Sequence, residues 1–191
     1  MRKWLVTIIA IAVVVLIVGP GVLYLLWTGQ SRPMATVEHV NLERFMGDWY
    51  VIANIPTFAE RGAVNAIERY RLRDRETVDI RFTFRQDSAD GEAKEYTATG
   101  FVEDTMSNAS WKVQFFWPIK FPFKIIRLAD DYSHTVIGVP NRKYVWIMSR
   151  TPELADSTYL SIVADLAEIG YDTAQVEMVP QVWPGSGTGG E

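Results

Sequence analysis

Few side chains in this sequence could do acid–base or nucleophilic work. Asp131 and His134 stand three apart in ADDYSHT, an acid beside a base. That spacing invites a catalytic pair, but no nucleophile accompanies it, and a histidine at the surface or supporting its neighbours is the favoured reading. Glu60 and Arg61 adjoin in FAERG. Arg61 could hold a phosphate or carboxylate head; a salt bridge to Glu60, or plain solvation, is the competing reading. Arg69, Arg71, Arg73 and Arg75 interleave with Asp74 and Glu76 and read as a solvated face. His39, the other of two histidines, carries no signal, and there is no cysteine. Disulfides, thiolate metal sites, a cysteine nucleophile, a lipid-modified cysteine and a histidine-rich metal cage are thereby excluded. No metal and no cofactor is expected.

The elements that must position these residues begin after a membrane signal. WLVTIIAIAVVVLIVGPGVLYLLW, residues 4–27, is nearly unbroken apolar sequence. About 20 such residues cross a bilayer as a helix, whereas the apolar part of a cleaved signal peptide runs only about 7–15. Residues 1–28 are therefore read as an N-terminal transmembrane anchor. Arg2 and Lys3 precede the span and put the N-terminus in the cytoplasm and the domain on the periplasmic or extracytoplasmic side. Residues 29–36 form a linker and 37–184 the folded domain, while GSGTGGE, 185–191, reads as a disordered tail. Of the net charge of -4, residues 1–35 hold +3, so the rest is acidic and repels phosphate backbones. Nucleic acid is not an expected partner.

The domain reads as strand after strand. In ETVDIRFTFRQ, Val78, Ile80, Phe82 and Phe84 alternate with Asp79, Arg81, Thr83 and Arg85, a sheet with one wet face. Further strands are predicted from Gly47 and near 63–73, 93–103, 110–117, 122–129, 134–140 and 143–149, with short connections. A helix follows from Thr151-Pro152-Glu153, its stripe formed by Tyr159, Ile162, Val163, Leu166 and Ile169 and its end marked by Gly170. A last short strand is suggested by Val176, Met178 and Val182. Eight antiparallel strands without crossover helices have exposed edges unless they close. The expected fold is thus all-β, an eight-stranded antiparallel up-and-down barrel with one C-terminal helix packed outside; a sandwich is second.

Gly47-Asp48-Trp49 opens the first strand, Asp131-Tyr132 lies between the sixth and seventh, and Arg150 closes the eighth. In that order the three motifs resemble the lipocalins. FAERG and WIMSRTP add a resemblance to the bacterial outer-membrane lipoprotein type, over about residues 40–184. The resemblance implies that Trp49 lies across the closed end of a barrel with Arg150 packed over it, as structural rather than binding residues. It also places His134 near the closed end. The usual bacterial member is tethered through a lipobox cysteine; this chain has none, which favours the inner membrane over the outer.

The resemblance further implies a ligand cavity, with Val51, Ala53, Phe82, Phe84, Val113, Phe115 and Trp146 inside it. Trp111 is another inward candidate. Which alternate set of Tyr96–Phe101 faces inward stays open. WPIKFPFK, 117–124, is expected as a loop at the mouth, where Trp117, Ile119 and Phe121 join Phe58 and Arg61. This rim touches a bilayer or guides an amphiphile, or else folds over the cavity. The functional expectation is a membrane-anchored, non-enzymatic lipocalin binding a fatty acid, lysophospholipid or similar amphiphile for storage, transport or membrane maintenance. The alternatives are an interaction module with a filled barrel and a lipocalin-like enzyme; a homodimer is compatible with all three.

Overall fold

Alternation of apolar and polar side chains shapes much of the wall of this protein, and strands covered on both faces make the rest. A computed structural model of the chain describes residues 33–183. The expected membrane span, half of the linker (29–32) and the tail lie outside them. Among the described residues no helix is long and apolar enough to cross a membrane.

The strands are β1 (Gly47–Ile55), β2 (Ala63–Leu72), β3 (Thr77–Gln86), β4 (Ala93–Val102), β5 (Ser110–Phe116), β6 (Ile119–Leu128), β7 (His134–Gly138) and β8 (Val145–Ser149). Each pairs antiparallel with the next, and β1 pairs with both β8 and β2, so the sheet closes on itself. Closure removes the unpaired edges that eight such strands would otherwise expose. A short helix α1 (Leu42–Phe45) precedes β1 across the closed end, and α2 (Asp156–Glu168) packs outside. A two-residue strand β9 (Glu177–Met178) lies along β1 at Ala53–Asn54. β1 pairs with β2 only over Gly47–Tyr50. Where the two part, the C-terminal segment spans the gap: Gln181 Nε2 donates to the carbonyls of Val51 and Ala66, and Asn65 exchanges two hydrogen bonds with the backbone of Val182.

Two packed clusters follow from the alternation. One lines the barrel interior and includes Phe45, Trp49, Val51, Tyr70, Phe82, Trp111, Val113 and Trp146. The other lies between the wall and α2, where Ile162 and Leu166 cover Ala53, Ile55, Val136, Val145 and Ile147. Three details differ from the sequence expectation. The helix starts at Asp156 rather than at Thr151, because Ser149 Oγ and Thr151 Oγ1 both donate to the Glu153 carbonyl and hold 149–153 in a turn. Ile169 is an exposed cap residue rather than part of the buried stripe. Gly170 follows it with φ +93°, a left-handed conformation that ends the helix at little steric cost. Finally, 117–124 is no loop: only Trp117 and Pro118 separate β5 from β6.

Candidate functional site

The closed end is built first from Gly47, whose φ of +97° suits glycine and carries the chain from α1 into β1. Trp49 is then fully buried, and its Nε1 donates to the Phe45 carbonyl at 2.8 Å. The Arg150 guanidinium lies 3.7 Å above the Trp49 ring and donates to the carbonyls of Asp48, Arg44 and Phe45. Five fixed donors suit arginine to such carbonyls, and the ring face attracts its charge. Phe45, Tyr70 and Trp111 complete an aromatic floor, with ring centroids 5.5–5.8 Å apart. Asp131 turns the chain by accepting from the Ser133 amide, and the Tyr132 hydroxyl accepts from the Asn41 amide. His134 sits at this end with its Nδ1 against Ser133 Oγ at 3.1 Å. Burial, then the charge of Arg127, lowers its pKa from the ordinary range. Asp131 and His134 thus serve a turn, and no reacting pair forms.

Above the floor the inner face is aromatic. Register places Glu68 opposite Trp49 on one side and Phe82 on the other, and Phe82 opposite Tyr96. Trp49, Glu68, Phe82 and Tyr96 therefore form one inward row across four strands. Phe84, Val113, Phe123 and Trp146 also face inward and are buried, Trp146 stacking on Phe123 at 5.0 Å. On β4 the inward set is Tyr96, Ala98 and Gly100. Nearer the mouth, Phe121 faces inward opposite Val113, and Ile119 opposite Phe116. Phe121, Ile119 and Tyr96 stay substantially exposed, so the inner face is open at the mouth and packed towards the floor.

Two expected interior residues are elsewhere, for one reason. A bulge in β1 between Val51 and Ala53 shifts the register, so Ala53 pairs with Ile147 and faces outward beneath α2. A second bulge in β5 sets Gln114 and Phe115 opposite a single residue, Lys120. Phe115 leaves the inward series and is 49 % exposed. It lines an outer groove of about 660 Å³ with Phe116, Trp117 and the outward arginines Arg69, Arg71, Arg73 and Arg81. Those arginines are already matched: Arg69 to Asp48, Arg71 and Arg73 to Asp79, and Arg81 to Glu95. At the rim Phe58 is 88 % exposed and Trp117 85 %, and Arg61 is exposed as well. Arg61 makes no ion pair among the described residues.

The sequence reading missed the barrel's polar interior. Glu60 turns away from Arg61, is buried, accepts from Trp146 Nε1 at 2.9 Å, and accepts from the Thr57 amide at 2.7 Å. Glu68 is 6 % exposed and accepts from the Tyr70 hydroxyl. Burial, with the nearby Glu60 charge adding to it, pushes the Glu68 carboxyl up to about 7. Burial, then Glu68, pushes the Tyr70 phenol well above its ordinary range, so it remains the donor. Asn54 pairs with Trp146 on the inward face and is 3 % exposed. The signal for Glu68 was present: arginines at 69, 71 and 73 on the outer face force 68 and 70 inward. Among the described residues no group of three histidine, aspartate or glutamate side chains could hold a metal ion.

A closed eight-stranded barrel, floored by a tryptophan under an arginine and open at the other end, defines the class, and comparison with known proteins agrees. The lipocalin-like domain family matches residues 40–181, and the chain belongs to it. Temperature-induced lipocalin-1 of Arabidopsis thaliana is 30 % identical over 161 residues, covering 80 % of this chain and 85 % of that one. The outer membrane lipoprotein Blc of Escherichia coli K12 is 30 % identical over 156 residues, covering 81 % and 86 %. Among solved structures, insecticyanin from the tobacco hornworm Manduca sexta superposes with a TM-score of 0.62 at 15 % identity, covering 81 % of this chain and 87 % of that one. That last likeness concerns the fold.

Proposed function

We propose that this chain is a binding protein which takes a small lipid or similar amphiphile into the open upper barrel. The observation that carries this is the split along the inner face. Tyr96, Phe121 and Ile119 face inward by register yet keep solvent access, above a sealed aromatic floor. Such a cup, apolar with a few placed polar groups, suits an acyl chain. Burying that chain contributes about 0.8 kcal/mol per methylene. Fatty acids and lysophospholipids, each an apolar chain with a polar head, have this character. Exposed Phe58 and Trp117 at the rim, with Arg61 beside them, suit contact with a bilayer from which the ligand comes. An anchor formed by residues 4–27 would keep the domain at a membrane and raise the local concentration of such a ligand.

A barrel filled by its own side chains is the second reading, and the burial of Phe82, Phe84, Phe123 and Trp146 favours it. Titration decides between them. Residues 33–183 with added lysophospholipid or fatty acid should show a saturable change in tryptophan fluorescence, reduced in Trp146→Phe. No saturable change with any amphiphile would overturn the proposal in favour of the filled barrel.

A further inference from the structure

The outer groove of about 660 Å³ on β2 to β5 plays no part in filling the barrel. Cavities of that size take small molecules. Its lining joins four guanidinium groups, on Arg69, Arg71, Arg73 and Arg81, to the aromatic run Phe115–Trp117, and contains one carboxylate, Asp79. The ion pairs on this wall leave donors over. Arg69 is fully engaged, because its Nε and Nη2 reach both oxygens of Asp48. Arg71 and Arg73 share the single carboxylate of Asp79. Arg81 has only Glu95, at 3.6 Å, which is longer than a hydrogen bond.

Register then sets Arg81 directly opposite Arg69, and diagonal to Arg71, whose partner Asp79 lies two residues away on β3. Like charges opposite one another across strands destabilise a sheet. Each guanidinium carries five donors, and the side chains of Arg71 and Arg81 are 80 % and 54 % exposed, so both present free donors to solvent. Thr97 pairs with Arg81, Thr99 with Asp79, and Gln114 with Thr99, which puts hydroxyls and an amide on the same face. The bulge in β5 supplies the apolar half by turning Phe115 outward. Bulges re-aim side chains in this way beside binding sites. Phe115 follows Gln114 directly, so the aromatic surface begins about 3 Å along the strand from the polar one.

We propose that this groove is a second binding site, separate from the barrel interior, for a small molecule that joins a phosphate or sulfate group to a flat aromatic ring. Arg71 and Arg81 hold the anion through charge-assisted hydrogen bonds, and its charge offsets the repulsion between Arg81 and Arg69. The ring lies on Phe115 and Trp117, which are 49 % and 85 % exposed. The domain as a whole is acidic, so a long polyanion is repelled while one small anion is admitted.

The test uses the full chain in phosphatidylcholine nanodiscs, with empty discs as the blank. Radiolabelled naphthyl phosphate is equilibrated by dialysis, and the excess over empty discs is counted. The expected result is saturable binding of one molecule per chain, with inorganic phosphate competing at least about tenfold more weakly because it lacks the ring. Arg71→Gln and Arg81→Gln, both at exposed positions, should each weaken the probe about tenfold, as loss of hydrogen bonds to a charged group does, and Trp117→Leu should weaken it about threefold. Saturating dodecanol, which has no anion to place on the arginines, should leave the probe bound. Absence of saturable binding, or affinity unchanged when both arginines are replaced, would overturn the inference. So would inorganic phosphate competing as well as the naphthyl ester, which would mean a bare anion site. Displacement by dodecanol would put the probe in the barrel, overturning the groove while leaving the lipid-binding reading intact.

Discussion

Replacing Glu68 with glutamine should stabilise the protein at alkaline pH. Glu68 is buried, and its carboxyl titrates at about 7 in the folded state against 4.5 when free. Between those values the native chain holds a proton that the unfolded chain has released. Stability therefore falls as pH rises through this window and is level above it with respect to this group. At about 1.4 kcal/mol per pH unit, the ionised carboxylate destabilises the fold by roughly 3 kcal/mol above neutrality, with desolvation the largest cause. Glutamine keeps an oxygen to accept from the Tyr70 hydroxyl and carries no charge. Urea unfolding of residues 33–183, followed by tryptophan fluorescence, reads the difference directly. At about pH 8 the variant should be more stable by roughly 1–3 kcal/mol, and near pH 4.5 the two proteins should agree within about 1 kcal/mol. A variant less stable than the parent at alkaline pH would refute the reasoning, because it would mean that the charged form is stabilised where it sits.

Four further outcomes follow from the geometry. Arg150→Lys loses the fork that holds the Asp48, Arg44 and Phe45 carbonyls and should cost about 2 kcal/mol in urea unfolding while leaving ligand uptake unchanged. Phe115→Ser, at the outward bulge, should change neither ligand affinity nor stability by more than about 1 kcal/mol; a large loss of affinity would return Phe115 to the interior. His134→Gln should leave binding unaltered and stability within about 0.5 kcal/mol, since the ring only supports a turn at the closed end. Tyr171→Phe removes a buried hydroxyl that accepts from the Val139 amide and donates to the Val139 and Tyr144 carbonyls. It should lower the thermal midpoint by the equivalent of about 1 kcal/mol.

Period-two alternation made the strands legible, because a half-buried wall leaves a plain apolar and polar sequence signature. β3 is the clearest case: Val78, Ile80, Phe82 and Phe84 face in and Asp79 and Arg81 face out. The same rule misplaced Ala53 and Phe115. Each lies at or just past a bulge, where one extra residue reverses the side of everything after it. Nothing in YVIANI or VQFFW announces that extra residue; it shows only in the pairing with Ile147 and with Lys120. The helix start failed for a different reason. Thr151-Pro152-Glu153 has the composition of a first turn, but Ser149 and Thr151 take the Glu153 carbonyl that such a turn would need. Glu68 was overlooked because the arginines beside it were read for their own solvation and not for what they force inward.

The central claim is that the barrel holds a lipid, and the intact mass of residues 33–183, prepared without detergent, tests it most directly. Measured under native conditions and again after denaturation, the mass should show one released amphiphile per chain, with Trp146→Phe retaining less of it. A mass equal to the polypeptide alone, unchanged after incubation with fatty acid, lysophospholipid and long-chain alcohol, would contradict the account and leave a barrel filled by its own aromatic side chains.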